Sequence, residues 1–158
     1  MADREGSPPQ LSYDPAADAA ERYPDWVVAT ADLGGLIPEV LSRSRRVILL
    51  EQEHSAAQRR SSLAHAVAHL DLGHAQTLNG WFEQREELEA EDLAGRRLIP
   101  VEGLARALSW SRDHDEVARE LGVDEAMLRM RHQRMRPEER RRLRRLLARS
   151  DRATWVNR

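Results

Sequence analysis

Cysteine is absent from this 158-residue chain, and so is lysine. Without cysteine there is no disulfide scaffold, no Cys-based zinc finger, no iron–sulfur cluster and no thiol nucleophile. Aromatic residues make up 4% of the chain, too few for the stacking platforms that single-stranded nucleic acids use. No apolar run approaches the roughly 18–20 residues of a membrane span, and the polar first ten residues carry no signal-peptide pattern. These absences predict a soluble cytoplasmic protein with no membrane partner. The exclusive use of arginine at all 25 basic positions is read as codon bias, not chemistry.

Charge is unevenly spread. The net value is -2, yet residues 128–158 hold 12 arginines against Glu138, Glu139 and Asp151, giving +9 there and -11 over residues 1–127. Such a split fits a nucleic-acid-binding tail or a basic helical segment docked on an acidic body, and charge alone does not choose.

Punctuation along the chain suggests its organisation. Residues 1–11, with Gly6, Ser7, Pro8 and Pro9, read as a disordered leader. Residues 12–100 form the core, 101–150 a helical C-terminal subdomain and 151–158 a tail. Asp14-Pro15 predicts a helix start, with Asp as N-cap and Pro at the first helical position. Strands are predicted over 26–30 and 46–50, the second central because its apolar run is unbroken. A short stretch near 36–40 is an edge strand or loop, since Pro38 interrupts it. Ser55 opens a long helix that stops at Gly73, and a second runs over 83–98 before Pro100. Between them, Trp81-Phe82 is expected near a site or under a loop. The remainder reads as four more helices. The expected fold class is α+β: a small, mostly antiparallel sheet packed on a helix pair, followed by an all-helical segment.

The chemistry sits on that pair. His65 and His69 are four apart, about 40° around a helix, so both imidazoles can point at one ion. Neutral imidazole suits zinc. Two histidines hydrogen-bonded inside a packed interface are the plain alternative. The next helix carries Glu87, Glu89 and Glu91. One carboxylate facing the histidines completes a His2Glu set with an open fourth position, the catalytic zinc pattern; a solvated acidic face is the alternative. His74 lies about 140° from His69 in a continuing helix, so it approaches only if the chain turns at Gly73.

Residues 61–74, Ser-Ser-Leu-Ala-His-Ala-Val-Ala-His-Leu-Asp-Leu-Gly-His, resemble the signature helix of the ImmA/IrrE-type metallopeptidases, Leu-Ala-His-Glu-x-x-His-Leu-x-x-Gly-His. Glu87-Leu88-Glu89-Ala90-Glu91, continuing to Arg97-Leu98-Ile99-Pro100, is similar to the family's second signature. Tyr13-Asp14-Pro15, Tyr23-Pro24-Asp25-Trp26 and the 46–51 strand extend the likeness to roughly residues 12–148. The resemblance implies a minimal zincin-like fold and a Zn(2+) cofactor held by His65, His69 and Glu89. Glu87 is then the alternative third ligand, and Glu91 and His74 stand beside the ligands. It further implies a zinc-dependent endopeptidase cutting a specific regulatory protein, such as a helix-turn-helix repressor.

One departure outweighs the rest. Position 66 is Ala66, where the family has the glutamate of His-Glu-x-x-His. A carboxylate there takes a proton from water and passes it to the leaving amine, a contribution of roughly 10²–10⁴-fold. Alanine does neither, so the chain is expected to bind zinc and to hydrolyse peptides very poorly. A deliberate inactivating substitution and a natural pseudoenzyme both account for Ala66; the otherwise intact motif favours the first.

Residues 115–132 have the grammar of a helix-turn-helix: Ala118 between helices, Gly122 at the turn, Val123 as plug and Asp124 as cap. Arg129, Arg131 and Arg134 then face phosphates or base edges. The alternative is a small bundle burying Val117, Leu121, Val123, Met127 and Leu128. This supports a second functional reading, a non-catalytic zinc-fold regulator or antitoxin binding DNA or a protein partner, with direct DNA contact the weaker option.

Overall fold

The computed structural model describes residues 12–77 and 80–156, the last six of these by backbone alone. The expected leader, residues 1–11, lies outside the described residues. Helix α1 (Pro15–Arg22) begins at Asp14, whose carboxylate accepts from the Ala16 and Ala17 amides. Strands β1 (Val27–Ala31), β2 (Glu39–Ser42) and β3 (Val47–Glu51) form one sheet in the order β1-β3-β2. β3 is central, as its apolar run predicts, and β2 takes an edge beside Pro38.

The α+β class holds, but the pairing is half parallel. β3 runs antiparallel to β2, with Val40 opposite Leu49, and parallel to β1, with Val27 opposite Val47. The cause is the crossover between β1 and β2, which carries the chain to the far edge so that β3 returns between them. Glu51 anchors that crossover. Its fully buried carboxylate accepts from the amides of Glu53, Gly35 and Leu33, which hold its pKa below the ordinary range.

Helix α2 (Ala56–Asp71) starts in a capping box in which Ser55 and Gln58 satisfy each other's amides. It is buried on two sides. Leu63, Ala66, Val67 and Leu70 pack on Ile48 and Leu50 of the sheet. On the other side, Ala64 and Ala68 join a second core with helix α3 (Gln84–Leu98). Helices α4 (Val101–Trp110), α5 (His114–Leu121), α6 (Glu125–Gln133) and α7 (Pro137–Val156) complete that core through Leu104, Val117, Leu128 and Leu143. The α5–α6 turn forms at Gly122, which adopts φ +63, a left-handed conformation that favours glycine. Val123 is buried as expected, whereas the Asp124 side chain makes no capping bond. Among the described residues, no helix is long and apolar enough to cross a membrane.

Asp71, at the end of α2, ties three helices together. It accepts from Arg22 (2.5 and 2.9 Å), from the Tyr23 hydroxyl (2.5 Å) and from Arg97. Burial opposes its charge, yet the three donors outweigh burial and hold the carboxyl at about 2, below its ordinary 3.8. A depressed pKa gives stability that is complete above the ordinary value and lost as pH falls through the folded one. Asp71→Asn is therefore expected to cost about 2 kcal/mol at neutral pH. It should also flatten the loss of stability between about pH 4 and 2, as measured by urea unfolding across that range.

Candidate metal centre

One turn apart on α2, the rings of His65 and His69 lie 4.6 Å between centroids. Glu87, on α3, places Oε2 3.3 Å from His65 Nε2 and 3.6 Å from His69 Nε2. One ligand atom from each of the three residues falls within 4.8 Å of the others. Both Nε2 atoms are buried and have no hydrogen-bond partner. Buried polar nitrogens are ordinarily paired, so two orphaned imidazole nitrogens converging on one carboxylate fit a cation. The donor set, two imidazoles and a carboxylate with an open side, suits zinc.

Further polar groups fix the rings from behind. His65 Nδ1 is 2.6 Å from Glu39 on β2. His69 Nδ1 is 3.0 Å from His74 Nδ1, and His74 Nε2 is 3.2 Å from Glu89 Oε2. His74 arrives there because Gly73, at φ +67, turns the chain back at the end of α2. Phe82 stacks on His69 at 3.7 Å and 13°, so the expected place of the Trp81-Phe82 pair near a site is observed. Without metal, burial alone would lower the pKa of His65, but Glu39 and Glu87 push it up to about 10. Burial and the neighbouring His65 charge pull His69 well below its ordinary range.

The cluster opens into a cleft of about 1070 Å³ between β2, one face of α2, the Trp81-Phe82 segment and Met127 and Met130 of α6. Ala66 is part of its wall and only 1% exposed. His54 also lines the cleft, with Nδ1 buried and unpartnered. Gln76 closes the cleft near the end of β2 by donating to the carbonyls of Leu41 and Gly80.

Two expectations need correction. The family resemblance implies Glu89, ahead of Glu87, as the third ligand, but the Glu89 carboxylate engages His74 and Arg85 instead. Residues two apart on a helix point about 200° apart. Ala90, Ala94 and Leu98 mark the buried face of α3, and Glu87 falls on that stripe while Glu89 falls away from it. That stripe was the signal in the sequence. Glu91 also lines the cleft, one turn on from Glu87. The second correction concerns Arg131. It is 2% exposed, donates to both oxygens of Glu139 and to the Ile99 carbonyl, and cannot reach a phosphate. The inward face of α6 runs Met127, Leu128 and Arg131, and the guanidinium goes inside with it. Arg134 donates to the Leu88 carbonyl, and Arg129, exposed, pairs with Glu125. Glu39 carried no sequence signal: its contact with His65 spans 26 residues and depends on where β2 docks.

A minimal zincin-like α+β domain with a His-His-Glu cluster is the class these features define. The sequence model of the IrrE N-terminal-like domain, a peptidase family, matches residues 26–133, and the chain belongs to that family. Its fold is similar to that of a Mycobacterium tuberculosis transcriptional regulator, with a TM-score of 0.62 and 22% identity. That match covers 80% of this chain and 42% of the regulator, so the chain spans less than half of that protein. No curated protein sequence matches the chain.

Proposed function

We propose that this chain is a zinc-binding domain of endopeptidase type, disabled at position 66, that engages a regulatory protein without cutting it. One observation carries the reading: two orphaned Nε2 atoms converge on Glu87, while a methyl group stands where the proton carrier belongs. His65, His69 and Glu87 would hold the ion. Zinc, when bound, supplies Lewis-acid chemistry that polarises a carbonyl and acidifies water. The chain's own groups do the rest. Glu39 and His74 hold the two rings in orientation, and Phe82 covers one face of His69. Ala66 offers no atom that accepts or returns a proton, so a bound segment stays intact. By the family likeness, the target is a cytoplasmic regulatory protein such as a DNA-binding repressor. The open cleft beside the cluster supports a protein segment as ligand, and the inward Arg131 weighs against α6 as a DNA reader.

The test is elemental analysis and zinc titration of the purified chain. One zinc per chain is expected, with His65→Ala, His69→Ala and Glu87→Ala each weakening binding by at least about 100-fold. A parent chain that takes up no zinc sinks the reading.

A further inference from the structure

Glu89 stands apart from the cluster, yet it is wired to it. Arg85 Nε donates to Glu89 Oε1 at 2.8 Å, leaving Oε2 to face His74 Nε2 at 3.2 Å. An ionised carboxylate accepts only, so a neutral His74 carries its proton on Nε2. Its Nδ1 is then a lone pair, and 3.0 Å away stands His69 Nδ1. Two lone pairs cannot share that distance, so His69 carries its proton on Nδ1. That leaves His69 Nε2 bare, buried, unpartnered and aimed toward Glu87. The opposite arrangement puts the His74 Nε2 lone pair against the Glu89 carboxylate at 3.2 Å, closer and more repulsive than the 3.6 Å that separates His69 Nε2 from Glu87 Oε2. Each proton follows from the one before it, inward from a half-exposed carboxylate to a buried ring.

We propose that Glu89, acting through His74, is a positioning residue that fixes the proton of His69 on Nδ1 and so turns its Nε2 lone pair into the cluster. The importance of this relay for zinc rests on the metal-site reading; the relay itself is a property of the metal-free chain. It explains why a glutamate that touches no cluster atom lies in the helix that supplies Glu87. Groups that orient a ligating histidine typically change metal affinity by roughly 10–100-fold.

Two measurements on the full chain test it. In the zinc-free protein at neutral pH, nitrogen-15 NMR of the imidazoles is expected to show His74 protonated on Nε2 and His69 on Nδ1. In competition with a chromophoric chelator, Glu89→Ala should weaken zinc binding by roughly 10–100-fold and Glu89→Gln by less, since an amide oxygen still accepts. Glu89 lies on the exposed side of α3, so these variants are expected to fold. A His69 proton found on Nε2, or a Glu89→Ala affinity within about two-fold of the parent, overturns the proposal. So does a loss as complete as that of Glu87→Ala, which would make Glu89 a ligand. If the parent binds no zinc, the metal-site reading falls, and the NMR pattern still decides the relay.

Discussion

Ala66→Glu is expected to raise cleavage of the proposed regulatory target in the presence of zinc by roughly 10²–10⁴-fold, the contribution of one positioned acid–base group. Position 66 is three residues before His69, about 60° from it around α2, and it forms part of the cleft wall. Ala66 belongs to the same buried cluster as Ile48, Leu63 and Val67 and also lines the cleft. A longer polar side chain is expected to turn from that apolar core into the cleft beside the two histidines. Without zinc, that carboxylate joins Glu87 and Glu39 around a buried site, and like charges at short range destabilise the fold. The variant should melt lower than the parent in a chelator and recover more stability when zinc is added. This thermal readout needs no substrate. Cleavage can be followed on a gel with a helix-turn-helix repressor, the class of target proposed above, and a chelator should stop it. A zinc-stabilised Ala66→Glu that leaves such a regulator intact would mean that the fold serves binding alone.

How much of this was legible before the structure depends on the range of the interaction. Local signals worked. Asp14-Pro15 capped α1, Ser55 and Gln58 capped α2, and the unbroken 46–50 run marked the central strand. The histidine spacing fixed two converging rings because one rigid helix carries both. Contacts between elements were harder. The parallel pairing of β1 with β3 follows from a crossover that leaves no periodic trace. The choice of Glu87 over Glu89 was written in Ala90, Ala94 and Leu98, which tell which face of α3 turns inward. Arg131 misled because a cation is expected outside. Its burial depends on a carboxylate eight residues later and a carbonyl just after the end of α3, and no spacing rule joins those three.

That buried arginine sets the largest stability effect to be expected. Arg131 meets Glu139 at 3.0 and 2.7 Å and the Ile99 carbonyl at 3.1 Å, so it joins α6, α7 and the turn into α4. Removing one partner of a buried pair leaves the other charge uncompensated, and Arg131→Met should cost roughly 3–5 kcal/mol. For a chain of this size that lowers Tm by about 10 °C. The double variant Arg131→Met, Glu139→Leu should cost clearly less than the two single changes added, because a well-packed apolar pair can replace a buried ion pair. Arg131 first, with burial opposing it, holds Glu139 at about 2, below its ordinary 4.5. The contribution of the pair is therefore complete above the ordinary value and fades as pH falls toward the folded one. Arg131→Met should remove that part of the acid sensitivity, which thermal melts between about pH 5 and 2 would show. A DNA-reading arginine behaves in the opposite way: its loss leaves Tm unchanged and reduces the salt dependence of duplex binding. Melts and salt titrations on the same variant thus decide whether α6 is a strut of the C-terminal helices or a reading head.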